Sequence, residues 1–182
     1  NSKSSAAHYG LGQVYLNQAR TDKAIAELLV SISQYPDSAP VHIALAKAYE
    51  EQGNLSSAIS EYQESIRIKP ELTLSYLAIA DLRNAQGEME LAIAQLRKGL
   101  SAIPNNTELR LGIADEYMKT DRFDEAIIEY EAILNRSVNN IEAAYALARA
   151  LYRKAQHHAD SAFISSRDFE RATNLIAQTI KL

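Results

Sequence analysis

The side chains able to do chemistry concentrate in one stretch, HHADSAFISSRDF from His157 to Phe169, where two histidines, two acids, three serines and two aromatic rings fall within thirteen positions. A zinc site needs three or four ligands at a spacing that lets them converge. Here the histidines are adjacent and the acids lie apart, so no metal is expected. A Ser/His/Asp arrangement needs an orienting scaffold and an oxyanion site, and the stretch provides neither. In YGLGQVY, Gly10 and Gly12 suggest a dinucleotide loop, but Tyr15 stands in the third glycine position and no strand pattern precedes it. His8 and His42 are 34 residues apart, which marks equivalent places in a repeat rather than a catalytic pair. With no cysteine, the chain has no disulfide, thiolate ligand or thiol nucleophile. The N-x-S/T triplets opened by Asn54, Asn105 and Asn135 are of a kind that chance produces often. These residues predict a protein without enzymatic activity, with no catalytic residue and no cofactor.

The elements that would have to position such residues are helices. The 182 residues include only six glycines and four prolines, helix formers dominate, and runs of Val, Ile and Thr are absent. Pro36, Pro70 and Pro104 follow one another at intervals of 34 residues. Ala24, Ala58, Ala92 and Ala126 keep the same interval, as do Leu11, Leu45, Ile79, Ile113 and Leu147, and the small set Gly12, Ala46, Ala80, Ala114 and Ala148. Each unit reads as two helices and a short turn. In VHIALAKAYEEQ-GN-LSSAISEYQESIRIKP, Gly53 supplies the left-handed residue that ends the first helix, and Pro70 stops the second. Ala46 and Ala58 let the helices approach, while Leu45, Tyr49, Tyr62 and Ile66 surround that contact at helical spacing.

This pattern, with LGQVY at Leu11–Tyr15 as its clearest instance, resembles the tetratricopeptide repeat. The resemblance covers nearly the whole chain as a single solenoid, with units at 5–38, 39–72, 73–106, 107–140 and 141–182. Arg83 departs from it where other units have tyrosine, and Val138 where proline is expected; these weaken local packing and the helix stop. The fold it implies is all-α, a right-handed superhelical solenoid of antiparallel helix pairs. In the fifth unit IEAAYALARALYRKA is the first helix and FERATNLIAQTIKL the second. Ala155 to Ala172 spans 17 residues where Gly53 to Ala58 spans five, so about twelve residues, near 156–167, are inserted at the turn. The reactive-looking stretch is therefore an insertion, with the first helix extended past Lys154 and the loop held by Phe163 and Ile164.

The resemblance also implies a function, since the first helices of such units line a concave groove. The corresponding rows are Tyr9, Ile43, Leu77, Leu111 and Tyr145, then Gln13, Lys47, Asp81, Asp115 and Arg149, then Leu16, Glu50, Asn84, Met118 and Tyr152. The expected partner-binding residues are Tyr9, Gln13, Ile43, Lys47, Leu77, Asp81, Leu111, Asp115, Met118, Tyr145, Arg149 and Tyr152. Their apolar centre and mixed charges suit a protein or peptide partner. The basic clamp by which cochaperone repeats hold chaperone tails is absent: Tyr9, Gln13, Ala44, Leu74 and Ala78 occupy its slots. The leading expectation is a noncatalytic protein-protein interaction scaffold. The competing one is an architectural arm of a larger enzyme or of a secretion or envelope-assembly protein, its groove filled by its own chain.

Composition bounds the remaining choices. The 19 basic and 23 acidic residues leave a net charge of −4, which favours neither nucleic acid nor an anionic membrane. There is no apolar run of about 18 residues to insert into a bilayer. Cytoplasm and periplasm both remain open. The first residues, NSKSS, suggest a segment of a longer chain. Leu175, Ile176 and Ile180, with no polar cap after them, predict end-to-end self-association through the last unit.

Overall fold

The computed structural model describes residues 2–157 together with residues 170, 171, 174 and 177. Among the described residues there are nine assigned helices and no strand. They form two compact units, Asn1–Pro104 and Asn105–Leu182. The first holds α1 (Ser2–Asn17), α2 (Thr21–Gln34), α3 (Ala39–Glu51), α4 (Leu55–Ile68), α5 (Thr73–Ala85) and α6 (Met89–Ala102). The second holds α7 (Thr107–Lys119), α8 (Phe123–Leu134) and α9 (Ile141–His157). The architecture is an all-α helical-repeat solenoid, as the 34-residue period predicts.

One backbone device makes each hairpin. The turns 18–20, 52–54, 86–88 and 120–122 each place a left-handed residue at their centre: Ala19 at φ 54°, Gly53 at 79°, Gly87 at 77° and Asp121 at 56°. The next residue's N–H then donates back to a carbonyl in the last helical turn. Arg20 bonds Tyr15 at 2.9 Å, Asn54 bonds Tyr49 at 2.8 Å, Glu88 bonds Arg83 at 2.9 Å and Arg122 bonds Tyr117 at 2.9 Å. This satisfies a carbonyl the helix end would leave open and turns the chain back on itself. Two of the four slots are not glycine, and there the backbone carries the steric cost that a Cβ brings to this region.

The first turn of each second helix then carries a small residue. Ala24, Ala58, Ala92 and Ala126 are fully buried, and Gly12, Ala46, Ala80 and Ala114 on the preceding helices are buried too. A Cβ at Gly12 would lie 2.7 Å from Leu28 Cγ, so α1 and α2 approach more closely there than an alanine allows without a shift. Within the first unit α2 packs on α3 and α4 on α5, so there each helix pair seats on the one before, and within the second unit α8 packs on α9.

The two departures from the repeat have local outcomes. Arg83, in a tyrosine slot, pairs with Glu88 at 2.6 Å across the turn. In the equivalent slots Arg20 lies over the Tyr15 ring at 4.9 Å and Arg122 over Tyr117 at 4.5 Å, so different chemistry braces the same corner. Val138 does not prolong the preceding helix. α8 stops at Leu134, and the Asn140 side chain accepts from the Ala143 N–H at 2.8 Å to start α9.

In the fifth repeat the turn slot is occupied by Ala155, which is buried and helical rather than left-handed. The helix runs on to His157, past Lys154 as expected from the sequence. Lys154 pairs with Asp124 at 2.7 Å, and the His157 and Phe123 rings meet edge-on at 5.8 Å, fastening the extension to α8. Beyond His157, the stretch through Phe169, with Phe163 and Ile164, lies outside the described residues, as do Leu175, Ile176 and Ile180.

Candidate partner-binding groove

The first helices carry the candidate residues on one stripe each, because spacings of four and three residues keep side chains on one helical face. In the first unit Tyr9, Ile43 and Leu77 are half-buried, while Gln13, Lys47 and Asp81 are exposed beside them. A recess of about 400 Å³ opens between α1 and α3, walled by Tyr9, Gln13, Leu16, Ile43, Ala44 and Lys47, with Asn17, Pro40 and Glu51 at its margin. Gln13 Nε2 donates to the Tyr9 hydroxyl at 2.7 Å, which holds the ring of Tyr9 at the wall. The recess thus sets the apolar side chains of Leu16 and Ile43 beside polar and charged ones, with Lys47 and Glu51 both on its lining.

In the second unit Leu111 is half-buried, and Tyr145 and Tyr152 are exposed, Tyr145 by 61%. Asp115 accepts a hydrogen bond from the Tyr130 hydroxyl at 2.7 Å and lies 3.8 Å from the Arg149 guanidinium. Burial and the Asp115 carboxylate raise the Tyr130 phenol well above its ordinary range, so it stays a donor. Met118 departs from the expectation: it is 4% exposed and belongs to the core, because its turn of α7 is covered, and it offers a partner no surface.

A separate set of polar contacts holds three of the helix pairs together from within. His8 Nδ1 meets the Glu27 carboxylate at 2.6 Å, His42 Nδ1 meets Glu61 at 2.6 Å, and Arg110 donates to Glu129 at 2.6 Å. All three pairs span the same sequence distance and occupy equivalent repeat positions. The histidines are therefore structural, as their 34-residue spacing suggests. Their acidic partners are less evident from the sequence, although Glu27, Glu61 and Glu129 keep the same register. The third repeat has Tyr76 and Gln95 in these places, and Gln95 Nε2 is buried there with no hydrogen-bond partner among the described residues.

His42 is the most constrained of these groups. Its Nδ1 faces the Glu61 carboxylate and its Nε2 faces the Pro36 carbonyl at 2.8 Å. Both partners accept and neither donates, so both ring nitrogens carry protons and the imidazolium is the form that fits. The hydrogen bond to Glu61 is the largest cause raising its pKa above 6.5; burial opposes it, and the Pro36 carbonyl and the charges of Glu61 and Glu64 add to it.

Among the described residues no three His, Asp or Glu side chains gather as a metal site, and no helix is long and apolar enough to cross a membrane. What the arrangement can do is hold another chain: it pairs partly exposed apolar and aromatic surface with fixed charges on a rigid backbone.

Comparison with solved structures finds the same architecture. A crystal structure of MamA superposes with a TM-score of 0.70 over 100% of this chain and 96% of that one, at 16% identity. YrrB, described as a TPR protein with an unusual peptide-binding site, superposes at 0.61 over 92% of this chain and 84% of that one, at 12% identity. The pilF protein of Pseudomonas aeruginosa superposes at 0.64 over 97% and 77%, at 19% identity. At these identities the likeness is one of fold. No curated protein sequence matches the chain significantly. One tetratricopeptide repeat family model matches residues 1–39, 9–73 and 43–107, and another matches residues 83–151. Those matches run through the same 34-residue register that sets the turns, the small-residue contacts and the inner helix rows, and the chain belongs to the tetratricopeptide repeat family.

Proposed function

We propose that the chain is a noncatalytic interaction scaffold that holds a partner protein by an extended or helical peptide segment laid along the inner faces of its first helices. The observation that carries this reading is the recess between α1 and α3, where Tyr9 and Ile43 offer an apolar seat and Lys47 an adjacent cation. A segment with an apolar anchor and a neighbouring carboxylate fits both. In the second unit, exposed Tyr145 and Tyr152 add aromatic contact area at small entropic cost, with Arg149 beside them. Peptide binding in YrrB, at the level of fold, supports the same use of the architecture.

A peptide-display selection on the intact chain tests the reading, followed by anisotropy titration of the enriched peptides against Ile43→Glu and Lys47→Glu variants checked for unchanged helicity. The expected result is at least a ~10-fold loss of affinity in each variant, the scale of a lost buried anchor or charged contact. Equal binding to parent and variants would remove the function from this face.

A further inference from the structure

The fourth repeat ends its second helix early, and a recess opens where it does. α4 and α6 each run 14 residues, to Ile68 and Ala102, whereas α8 starts in the same register at Phe123 and stops after 12, at Leu134. Val138 stands where Pro36, Pro70 and Pro104 stand in the other repeats. The residues released from the helix turn back on its end: the N–H groups of Arg136 and Ser137 both donate to the Ile133 carbonyl, at 3.0 and 2.9 Å. Between this turn and the start of α7 lies a recess of about 420 Å³, contained within the second unit.

Donors dominate its lining. Arg110 stands in the repeat position of His42, whose two ring nitrogens are both engaged, but Arg110 gives one N–H to Glu129 at 2.6 Å and its side chain makes no other hydrogen bond among the described residues. A guanidinium has five N–H donors in a planar fork, so most of this one is left for a ligand. The Thr107 and Ser137 hydroxyls on the same recess also bond nothing else among the described residues. Arg136 is braced by donating to Asn105 Oδ1, and Asn106 is fixed as the cap of α7, accepting from the Leu109 N–H at 2.8 Å. No Asp or Glu is among the described lining residues, and Ile133 supplies an apolar spot. Two guanidinium groups thus stand against the one carboxylate of Glu129, an excess of a single positive charge. A carboxylate matches both that charge and the fork of donors. A phosphate dianion would press a second negative charge towards Glu129. We infer that this recess binds a carboxylate group, received by Arg110, Arg136, Thr107 and Ser137, with the apolar part of the ligand beside Ile133. The site shares no residue with the peptide-holding face and does not rest on the function proposed above.

Two probes offer the carboxylate from different sources: the free acid isocaproate, and the blocked peptide acetyl-Ala-Leu-Glu-Ala-amide, whose only carboxylate is a side chain. Each is titrated into the intact chain and followed by backbone amide and arginine side-chain NMR shifts. Saturable shifts centred on Thr107, Arg110, Arg136 and Ser137 are expected, with affinity reduced at least ~10-fold in Arg136→Gln and in the pair Thr107→Val, Ser137→Ala, and unchanged in Lys47→Glu. The three substituted side chains already face solvent, so unchanged circular dichroism and melting establish that the fold survives. Tighter binding of the peptide would assign the site to an acidic side chain of a partner, and tighter binding of isocaproate to a small carboxylic acid; either sustains the inference. Equal shifts with the neutral isocaproamide, tighter binding of inorganic phosphate, equal binding to parent and recess variants, or no saturable binding would overturn it.

Discussion

At the scale of single residues, the polar pairs inside each hairpin tie stability to protonation. The pKa of His42 is raised above 6.5 by Glu61, whose hydrogen bond outweighs the effect of burial, with the Pro36 carbonyl and Glu64 adding to it. Its stabilising contribution is then fully present below the unfolded value near 6.5 and lost as pH rises through the folded value. Chemical denaturation of the parent and of His42→Gln between pH 6 and pH 9 should show a stability difference of about 1 kcal/mol or more at pH 6, shrinking towards pH 9. A difference that does not change with pH would show that the ring is held neutral. The Arg110 and Glu129 pair is tested the same way: Glu129 is buried, and Glu129→Ala leaves the guanidinium without its carboxylate, so a loss of about 2 kcal/mol is expected from the same denaturation measurement.

At the scale of elements, the left-handed turn slots differ only in their residue. Ala19 bears a Cβ at φ 54° where Gly53 and Gly87 bear none. Ala19→Gly removes roughly 1 kcal/mol of steric cost and returns part of it through the greater freedom of the unfolded glycine, for a net gain of about 0.5 kcal/mol. Gly53→Ala should lose about 1 kcal/mol by the same reasoning, and the two urea midpoints moving in the same direction would contradict it. Exposure along α1 also has a dynamic consequence. α3 buries Val41, Leu45 and Ala48 where α1 exposes the equivalent Ala7, Leu11 and Val14, so α1 has fewer contacts to break when it opens. Hydrogen exchange followed by mass spectrometry should find the amides of α1 exchanging faster than those of α3 by at least ~10-fold. Equal protection would mean that α1 opens only with the rest of its unit.

At the scale of the whole molecule, a repeat array distributes stability over neighbouring pairs rather than over one shared core. His42, with its contacts to Glu61 and Pro36, lies in the first compact unit, and Glu129, with its contact to Arg110, in the second. The double variant His42→Gln, Glu129→Ala should therefore lose the sum of the two single losses to within ~0.5 kcal/mol in urea unfolding. A larger departure would show that the two sites are coupled.

The helical class, the 34-residue register, the turn at Gly53 and the stops at Pro36, Pro70 and Pro104 were legible in the sequence, because each depends on local backbone chemistry repeated often enough to exceed chance. The equivalence of Tyr9, Ile43 and Leu77 was legible for the same reason, as periodicity places side chains on a face. Periodicity does not say what lies against that face. Met118 keeps the register of its row and is buried, while Leu11 keeps the register of Leu45 and is exposed. Ala155 occupies a turn slot and continues the helix, in keeping with alanine's own helical preference, and contacts from α8 to Lys154 and His157 fasten the extension. The partnership of His42 with Glu61 likewise required two helices to be set side by side. The sequence by itself determined which elements form and how they repeat, through interactions a few residues apart; only the tertiary structure decided which faces are covered, since burial depends on residues distant in the chain.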